Sequence, residues 1–218
     1  MALRTLWGGC WKDRTFRIEL IVTVLLLVGV VSALARFLQR IELRPGVVLS
    51  DPLLAMFQPV DLTWLTFALI YGGLFLAIGI LLSHPRRLMI AFQAYTLMVI
   101  IRMIAMSLTP LDPPPTMIAL VDPTVSYFGT GMTPSRDLFF SGHTSTMLLL
   151  ALTVPSVRWR TVYGLATVAV AGCVLAQHAH YTIDVFAAVF FAYGAYALVL
   201  RVRKTLSLPD PSVPGGGL

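Results

Sequence analysis

The chain alternates long apolar runs with short polar connections, and six of these runs reach the length of a membrane helix. Crossing a bilayer core of about 30 Å takes about 20 apolar residues in an α-helix. The pattern therefore predicts an all-α, polytopic membrane protein with six transmembrane helices. The predicted spans are residues 17–38, 62–82, 88–108, 138–155, 160–178 and 181–201.

The lysines and arginines predict the orientation of these spans, because most of the 16 lie at one set of helix ends. Positive residues collect on the cytoplasmic side of membrane proteins. Both termini are therefore expected in the cytoplasm. Residues 1–16 form a cytoplasmic segment in this prediction, residues 17–204 the six-helix membrane domain, and residues 205–218 a disordered tail. The first apolar run exceeds that of a signal peptide and is expected to remain as an anchor.

Two longer connections fall on the opposite, outer face. Residues 39–61 mix apolar and polar positions with prolines, which is typical of a broken amphipathic segment lying along the membrane interface. Residues 109–136 are rich in Pro, Gly and Thr, and prolines in their first half exclude a regular helix there. This second connection is either a spacer or a loop that covers a site.

Composition agrees with the pattern, since 57% of the residues are hydrophobic and only 12% are charged. Soluble domains carry about 25% charged residues. The net charge of +6 does not indicate a nucleic-acid partner, because basic residues flanking membrane helices are expected without one. Cys10 and Cys173 are isolated and offer neither a disulfide nor a metal framework. We expect no metal and no cofactor.

Four ionisable side chains are predicted at the outer ends of spans three, four and six, at or within the membrane. Such groups are costly in a bilayer and are functional candidates by default. With the predicted orientation, all of them fall near the outer ends of spans three, four and six, so one leaflet should contain them together. They are Arg102, His143, His180 and Asp184.

His180 and Asp184 are four residues apart, so on a helix they share a face and can form a hydrogen bond. A carboxylate on one imidazole nitrogen fixes the tautomer and leaves the other nitrogen a better nucleophile or base. The alternative is a purely structural pair at the entrance of a helix. His178, two residues earlier, is off that face and is expected at the interface.

The segment Ser141-Gly142-His143 also allows two interpretations. Ser141 can cap a helix, Gly142 can permit a tight turn, and His143 can simply occupy the first helical turn. The exposed amides of a helix N-terminus also make an anion site. Taken together, two histidines, a carboxylate, a guanidinium and a helix N-terminus match the needs of phosphoryl transfer, in which positioned groups attack, protonate and hold charge.

These residues carry a family resemblance. The stretches "DLFFSGHT" from Asp137 and "HYTIDV" from His180 resemble the paired signatures of the type-2 phosphatidic acid phosphatase and lipid phosphotransferase superfamily. The resemblance is closest to the sphingomyelin synthases and extends over roughly residues 84–200. A third signature of that branch is similar to a set of positions upstream, namely Arg86, Arg87, Tyr95, Arg102, Thr109 and Pro110.

Two departures from the family patterns bear on substrate choice. The phosphatase branch carries an arginine six positions before its second histidine, where this chain has Val174. The synthases carry Cys-Gly before the first aspartate, where this chain has Ser135-Arg136. The missing arginine favours the synthase branch and leaves Arg102 as the intramembrane cation for phosphate.

The resemblance implies a membrane enzyme that moves a phosphocholine or phosphoethanolamine-type group from a phospholipid to a lipid hydroxyl such as that of ceramide, with its site on the outer leaflet. The implied catalytic residues are His143, His180 and Asp184. The implied phosphate-binding residues are Arg102, Ser141 and Gly142, with support from Asp137 and Tyr181. Asp137 either orients His143 or caps the helix.

Two other functions remain open at this point. With water as the acceptor, the same residues would make a lipid phosphatase or a phospholipase of the C type. A proton-coupled transporter could use the buried ionisable groups as a relay. A midplane transport site favours helices broken by Gly or Pro at mid-depth, and no predicted span shows such a break.

Overall fold

The computed structural model describes residues 3–122 and 134–208. Within these ranges the chain is helical, with one short 3-10 helix at Leu54–Met56 and β geometry limited to an isolated bridge between Val47 and Leu111. The all-α prediction is confirmed for the described residues. The helices are α1 (Leu3–Lys12), α2 (Arg14–Ile41), α3 (Thr63–Leu82), α4 (Pro85–Leu108), α5 (Gly142–Thr153), α6 (Val157–Ala176) and α7 (Thr182–Thr205).

Five of these helices are long and apolar enough to cross a membrane, namely α2, α3, α4, α6 and α7. This indicates an integral membrane protein. The predicted span 138–155 contains only α5, whose 12 residues extend about 18 Å. That length is well short of a bilayer core of about 30 Å. The structure thus supports five full-length spans, and the count of six and the orientation of the termini stay predictions.

The short length of α5 has local causes at both of its ends. Phe139 and Phe140 have positive φ angles of 66° and 46°, which are incompatible with a right-handed helix. Ser141 then caps the helix, with its side chain accepting a hydrogen bond from the amide of Thr144. At the other end, Val154 is extended because Pro155 follows it.

α5 lies at the centre of the bundle and packs against α3, α4, α6 and α7. On the side of α4 and α7 the core contains fully buried alanines, including Ala94, Ala188, Ala192 and Ala195. Small residues at such positions let membrane helices approach closely. On the side of α3 and α6, Met147 and Tyr163 fill the core. This packing holds both ends of α5 in fixed positions relative to its neighbours.

α2 packs mainly against α4 and leaves much of its surface open, as expected for a lipid-facing helix. A buried polar cluster fastens it near its first turns, where Glu19 pairs with Arg203 of α7 and accepts a hydrogen bond from Gln93 of α4. The predicted N-terminal segment 1–16 contains α1, which the sequence did not anticipate. The indole of Trp7 in α1 donates to the carbonyl of Leu82 over 2.8 Å.

The two longer connections meet at the other end of the bundle. We call residues 42–62 the first loop and residues 109–140 the second loop, of which 123–133 lie outside the described residues. The amide of Val47 donates to the carbonyl of Pro110 over 3.0 Å, and the amide of Asp112 donates to the carbonyl of Val47 over 3.1 Å.

Both loops are also tied to the end of α6. Val60 donates to the carbonyl of Ala176, and Ile118 to that of Gln177. The first bound of the predicted segment 39–61 is wrong, because α2 continues to Ile41, and its place at the membrane interface stays a prediction. Its first residues continue α2, and the remainder packs against the second loop, because its backbone finds hydrogen-bond partners there. Of the predicted tail 205–218, residues 209–218 lie outside the described part of the chain.

Candidate active site

The helix starts of α5 and α7 meet at the end of the bundle that the two loops cover. The backbone amide of Ser141, at the start of α5, donates to the carbonyl of Asp184, in the first turn of α7, over 3.0 Å. Ser141 and Asp184 are both fully buried. This one bond connects the two sequence motifs, although they are about 40 residues apart in the chain.

His180 and Asp184 form the predicted pair, but not on one helix face, because α7 begins at Thr182 and His180 precedes it. Nδ1 of His180 lies 3.2 Å from Oδ2 of Asp184. The same carboxylate oxygen accepts a hydrogen bond from the amide of Tyr181 over 3.1 Å, so Asp184 caps the start of its own helix. With Nδ1 turned toward a carboxylate, Nε2 is the ring nitrogen that remains available for chemistry.

His143 lies beside this pair in the first turn of α5. Its ring centroid is 6.3 Å from that of His180, and the two rings meet at 62°. Phe67 of α3 packs edge-on against the other side of His143, with ring centroids 5.8 Å apart. Nδ1 of His143 is buried and finds no hydrogen-bond partner among the described residues. An apolar wall thus holds the ring while one polar atom lacks a partner.

Arg102 of α4 supplies the positive charge of the site. Its guanidinium is buried and pairs through Nη2 with Oδ1 of Asp137 at 2.7 Å. Nε donates to the carbonyl of Phe140 over 3.2 Å. Of the partners that the described residues offer, none accepts a hydrogen bond from Nη1. The arginine is therefore positioned by the residues just before α5, with one edge of its guanidinium unused.

Gly142 lies directly against this guanidinium. A Cβ atom added at Gly142 would be 2.9 Å from Cζ of Arg102 and 3.1 and 3.2 Å from its two terminal nitrogens. Real Cβ atoms do not approach other atoms so closely, so any larger residue would displace the arginine. Gly142 is needed here for the close approach of a cation to a helix N-terminus.

The two helix N-termini differ in what their backbone amides bind. At α7, carboxylates already occupy them, since Asp51 accepts from the amide of Thr182 and Asp184 from that of Tyr181. At α5, no described residue accepts from the amides of Gly142 and His143. The first amides of a helix attract anions. The open anion site is therefore the start of α5, with Arg102 beside it.

Three expectations need correction or refinement. Asp137 neither caps α5 nor bonds to His143 in the described structure; it pairs with Arg102, because Ser141 takes the cap. His178 is not interfacial but buried at 1% exposure, with Nδ1 2.6 Å from the hydroxyl of Thr116. The hydroxyl of Tyr181 points away from the site, since it donates to the carbonyl of Asp112 and accepts from the amide of Leu49.

A cluster of charges closes the loops over this end of the bundle. Glu42 accepts hydrogen bonds from the amides of Ser135 and Arg136, and Nε of Arg136 bonds Oδ1 of Asp112 at 2.6 Å. The bond from Arg136 lowers the pKa of Asp112 below its usual value of 3.8. Ser135 and Arg136, which stand in place of the synthase Cys-Gly, thus hold the backbone next to Asp137.

Some residues that shape the site carried no signal in the sequence. Phe67 is one apolar residue among many in its span, and Asp51 and Glu42 look like ordinary loop carboxylates. Their roles depend on contacts across long separations in the chain. Over the described residues, no group of three or more His, Cys, Asp or Glu side chains comes together as a metal site would require.

One protein family matches the part of the chain that contains these motifs. Residues 136–200 match the PAP2 superfamily C-terminal family. The match takes in Asp137, the Ser141-Gly142-His143 segment and the His180–Asp184 pair, but not Arg102. It covers a little under a third of the chain and supports the type-2 phosphatidic acid phosphatase superfamily, in which lipid phosphatases and phosphotransferases occur. No curated protein and no solved structure matches the chain.

Proposed function

We propose that this protein is a membrane phospholipid headgroup phosphotransferase, similar to the sphingomyelin synthases, that works through a phosphohistidine on His180. The donor is a phospholipid with a phosphocholine or phosphoethanolamine-type headgroup, and the acceptor is a lipid hydroxyl such as that of ceramide. The site faces the outer leaflet in this proposal. The observation that carries it is the placing of both histidine rings beside the open amides of α5 and the buried Arg102.

The first half-reaction transfers the headgroup phosphate to the enzyme. The donor's phosphodiester binds at the start of α5. Its oxygens accept hydrogen bonds from the amides of Gly142 and His143 and from the guanidinium of Arg102. Nε2 of His180 attacks phosphorus with its lone pair, and the bond from phosphorus to the diacylglycerol oxygen breaks. His143 gives a proton to that leaving oxygen.

The second half-reaction reverses these roles. His143 accepts the proton of the acceptor hydroxyl, whose oxygen attacks phosphorus as the bond to His180 breaks. The headgroup phosphate then belongs to the acceptor lipid, and both histidines return to their initial states. Asp184 keeps the His180 ring oriented through both steps and stabilises the positive charge that develops on it.

The surroundings of Val174 support transfer rather than phosphatase chemistry. Val174 holds the position of the phosphatase arginine, and it is fully buried in the apolar core between α3, α5 and α6. α6 therefore has no cation at that position. Arg102 is the only buried arginine at this end of the described structure, since the other one, Arg203, lies near the end of α7.

A transporter is less compatible with this geometry. The five long helices run without interruption through the described residues, whereas midplane transport sites favour broken helices. The ionisable groups of the site also cluster at one end of the bundle and are bonded to one another.

Purified protein in lipid nanodiscs, supplied with phospholipids labelled in the headgroup phosphate, tests the proposal. Phosphatidylcholine and phosphatidylethanolamine are each given with ceramide, with diacylglycerol or with no added acceptor. Label should appear in a new lipid, and acid-labile label should appear on a peptide that contains His180. His180→Ala protein is the control for both signals.

Each alternative has its own outcome in this experiment. Label released only as water-soluble phosphocholine or phosphoethanolamine would identify a hydrolase and refute transfer to a lipid. Label in a new lipid without any labelled peptide would refute the phosphohistidine and favour direct transfer. No turnover with any donor would refute phospholipid headgroup chemistry at this site.

A further inference from the structure

The start of α7, which follows His180 and contains Asp184, is held by a carboxylate from a distant part of the chain. Oδ2 of Asp51 accepts a hydrogen bond from the amide of Thr182 over 2.6 Å. Oδ1 accepts a second one from the hydroxyl of Thr182 over 3.0 Å. Thr182 is the first residue of α7 and lies between the two members of the pair. Asp51 lies in the first loop, 131 positions away.

Asp51 is itself firmly placed. Its Oδ1 accepts from the amides of Leu53 and Leu54 over 3.0 and 3.3 Å, which folds the loop around the carboxylate. Leu54 is buried against Leu138 and Tyr181. Burial acts to raise the pKa of Asp51, but the bonds from Thr182, Leu54 and Leu53 prevail and lower it, so the group is charged at neutral pH.

The geometry of the catalytic pair depends on this anchor. Oδ2 of Asp184 accepts from the amide of Tyr181, the residue before Thr182, and also faces Nδ1 of His180. A shift of the Thr182 backbone would therefore change the hydrogen bonds that aim the His180 ring. The first loop makes another hydrogen bond to the start of α7, from the amide of Leu49 to the hydroxyl of Tyr181.

We propose that Asp51 is a positioning residue for the His180–Asp184 pair. It fixes the first residue of α7, and its negative charge occupies the N-terminus of that helix. A substrate phosphate is thereby directed to the only open helix start in this part of the described structure, that of α5. The kinetic consequences of this role rest on the function proposed above, while its structural consequences do not.

The chain offers a matched control in Asp61. This residue is exposed and caps α3 by accepting a hydrogen bond from the amide of Thr63 over 3.0 Å. Asp51→Ala and Asp61→Ala thus each remove a carboxylate that accepts a hydrogen bond from the first amide of a long helix. Only Thr182 lies between the two members of the proposed catalytic pair. Asp51→Asn keeps one oxygen acceptor and serves as the conservative variant.

The test combines kinetics with hydrogen exchange, both on the full chain in nanodiscs. Asp51→Ala should lower kcat for lipid transfer about 10- to 100-fold with KM changed by less than about twofold, because a misaimed nucleophile costs rate rather than binding. Asp51→Asn should recover part of that loss, and Asp61→Ala should change kcat by less than about twofold. In Asp51→Ala, amide hydrogen exchange should be faster than in the wild type in peptides covering residues 180–186. It should be unchanged in peptides covering residues 142–153.

The outcomes separate this role from the proposed function. Equal kcat values for Asp51→Ala and Asp61→Ala, or unchanged exchange in residues 180–186, would overturn it. Should Asp51→Ala fail to fold, Asp51→Asn and Thr182→Val replace it. Each should give a smaller fall in kcat and a smaller rise in hydrogen exchange over residues 180–186. Should the wild-type protein transfer no headgroup at all, the proposed function fails and the exchange data alone decide whether Asp51 holds the start of α7.

Discussion

The backbone amide of Ser141 donates a hydrogen bond to the carbonyl oxygen of Asp184 over 3.0 Å. Through this bond the start of α5 and the first turn of α7 form one rigid junction, with His143 on one side and His180 on the other. A backbone bond of this kind does not depend on the side chains at either position. Substitutions of the proposed catalytic side chains should therefore change the chemistry without separating the two helices.

His180→Ala should lower the transfer rate at least about 1,000-fold, because the proposed nucleophile is lost. Asp184→Asn should lower it at least about 100-fold, since an amide no longer stabilises the charged ring. Initial rates of headgroup transfer in nanodiscs measure both effects. Unfolding temperatures near that of the wild type would show that the loss is chemical. A rate within tenfold of wild type for His180→Ala would contradict the mechanism.

His143→Ala should lower the same rate about 10²- to 10⁴-fold, the range for loss of a general acid and base. His84→Ala is the matched control, because His84 is exposed and far from the site in the chain. That variant should change the rate by less than about twofold. If the two variants behaved alike, His143 would have only a structural role at the start of α5.

Gly142→Ala should displace the Arg102 guanidinium, since the added Cβ would lie 2.9 Å from Cζ of Arg102. The expected result is a fall in the transfer rate of at least about tenfold. Gly172→Ala in α6 is the control, because nothing lies within 4 Å of a Cβ at that position. Removing a helical glycine there should stabilise the protein by about 0.5–1 kcal/mol. An active Gly142→Ala enzyme would show that the close approach is dispensable.

Arg102→Lys should lower the rate about 10²- to 10³-fold, the scale for loss of one donor to a developing charge. An ammonium group cannot reproduce the fork that bonds Asp137 and Phe140 while presenting a further edge to phosphate. Arg87→Lys, outside this site, should leave the rate unchanged. The measurement is the rate of product formation by both variants at saturating donor. Full activity of Arg102→Lys would exclude a contact with phosphate that requires a guanidinium.

The loop cluster should be sensitive to acid. The pKa of Asp112 is lowered in the folded protein by Arg136, so its stabilising contribution is present above the unfolded pKa of about 4 and is lost as pH falls through the folded value. Asp112→Asn should lower the unfolding temperature at pH 7. The gap to the wild type should close as the pH falls below about 4. A gap that stays constant between pH 7 and pH 3 would contradict this origin.

Much of the fold was predictable because apolar runs and helix-capping residues are local signals. The limits of α3, α4, α6 and α7 agree with the predicted spans to within a few residues. The span over 138–155 was overestimated, because its first residues are apolar yet adopt backbone angles that exclude a helix. Phe139 and Phe140 count as hydrophobic in any pattern, and nothing local announces their positive φ angles.

The candidate site was predictable for a different reason. The His-x-x-x-Asp spacing predicted the contact between His180 and Asp184, although His180 lies two residues before α7 and not on it. Ionisable residues in an apolar background also stand out by their cost. Distances between separate motifs are not encoded in such patterns. The pairing of Arg102 with Asp137 could be found only in the folded chain, as could the contacts of Asp51 and Phe67. The same holds for the contact between His178 and Thr116 of the second loop.

The hydrogen bonds between the first loop and the start of α7 can form only late in the synthesis of the chain. Leu49 and Asp51 are made early, but their partners Tyr181 and Thr182 follow 132 and 131 residues later. Until α7 begins, the Asp51 carboxylate of a nascent chain has only its local partners, the amides of Leu53 and Leu54. Chains that stop before His180 lack these bonds together with the proposed nucleophile. The start of α7 and the proposed active site are thus completed together.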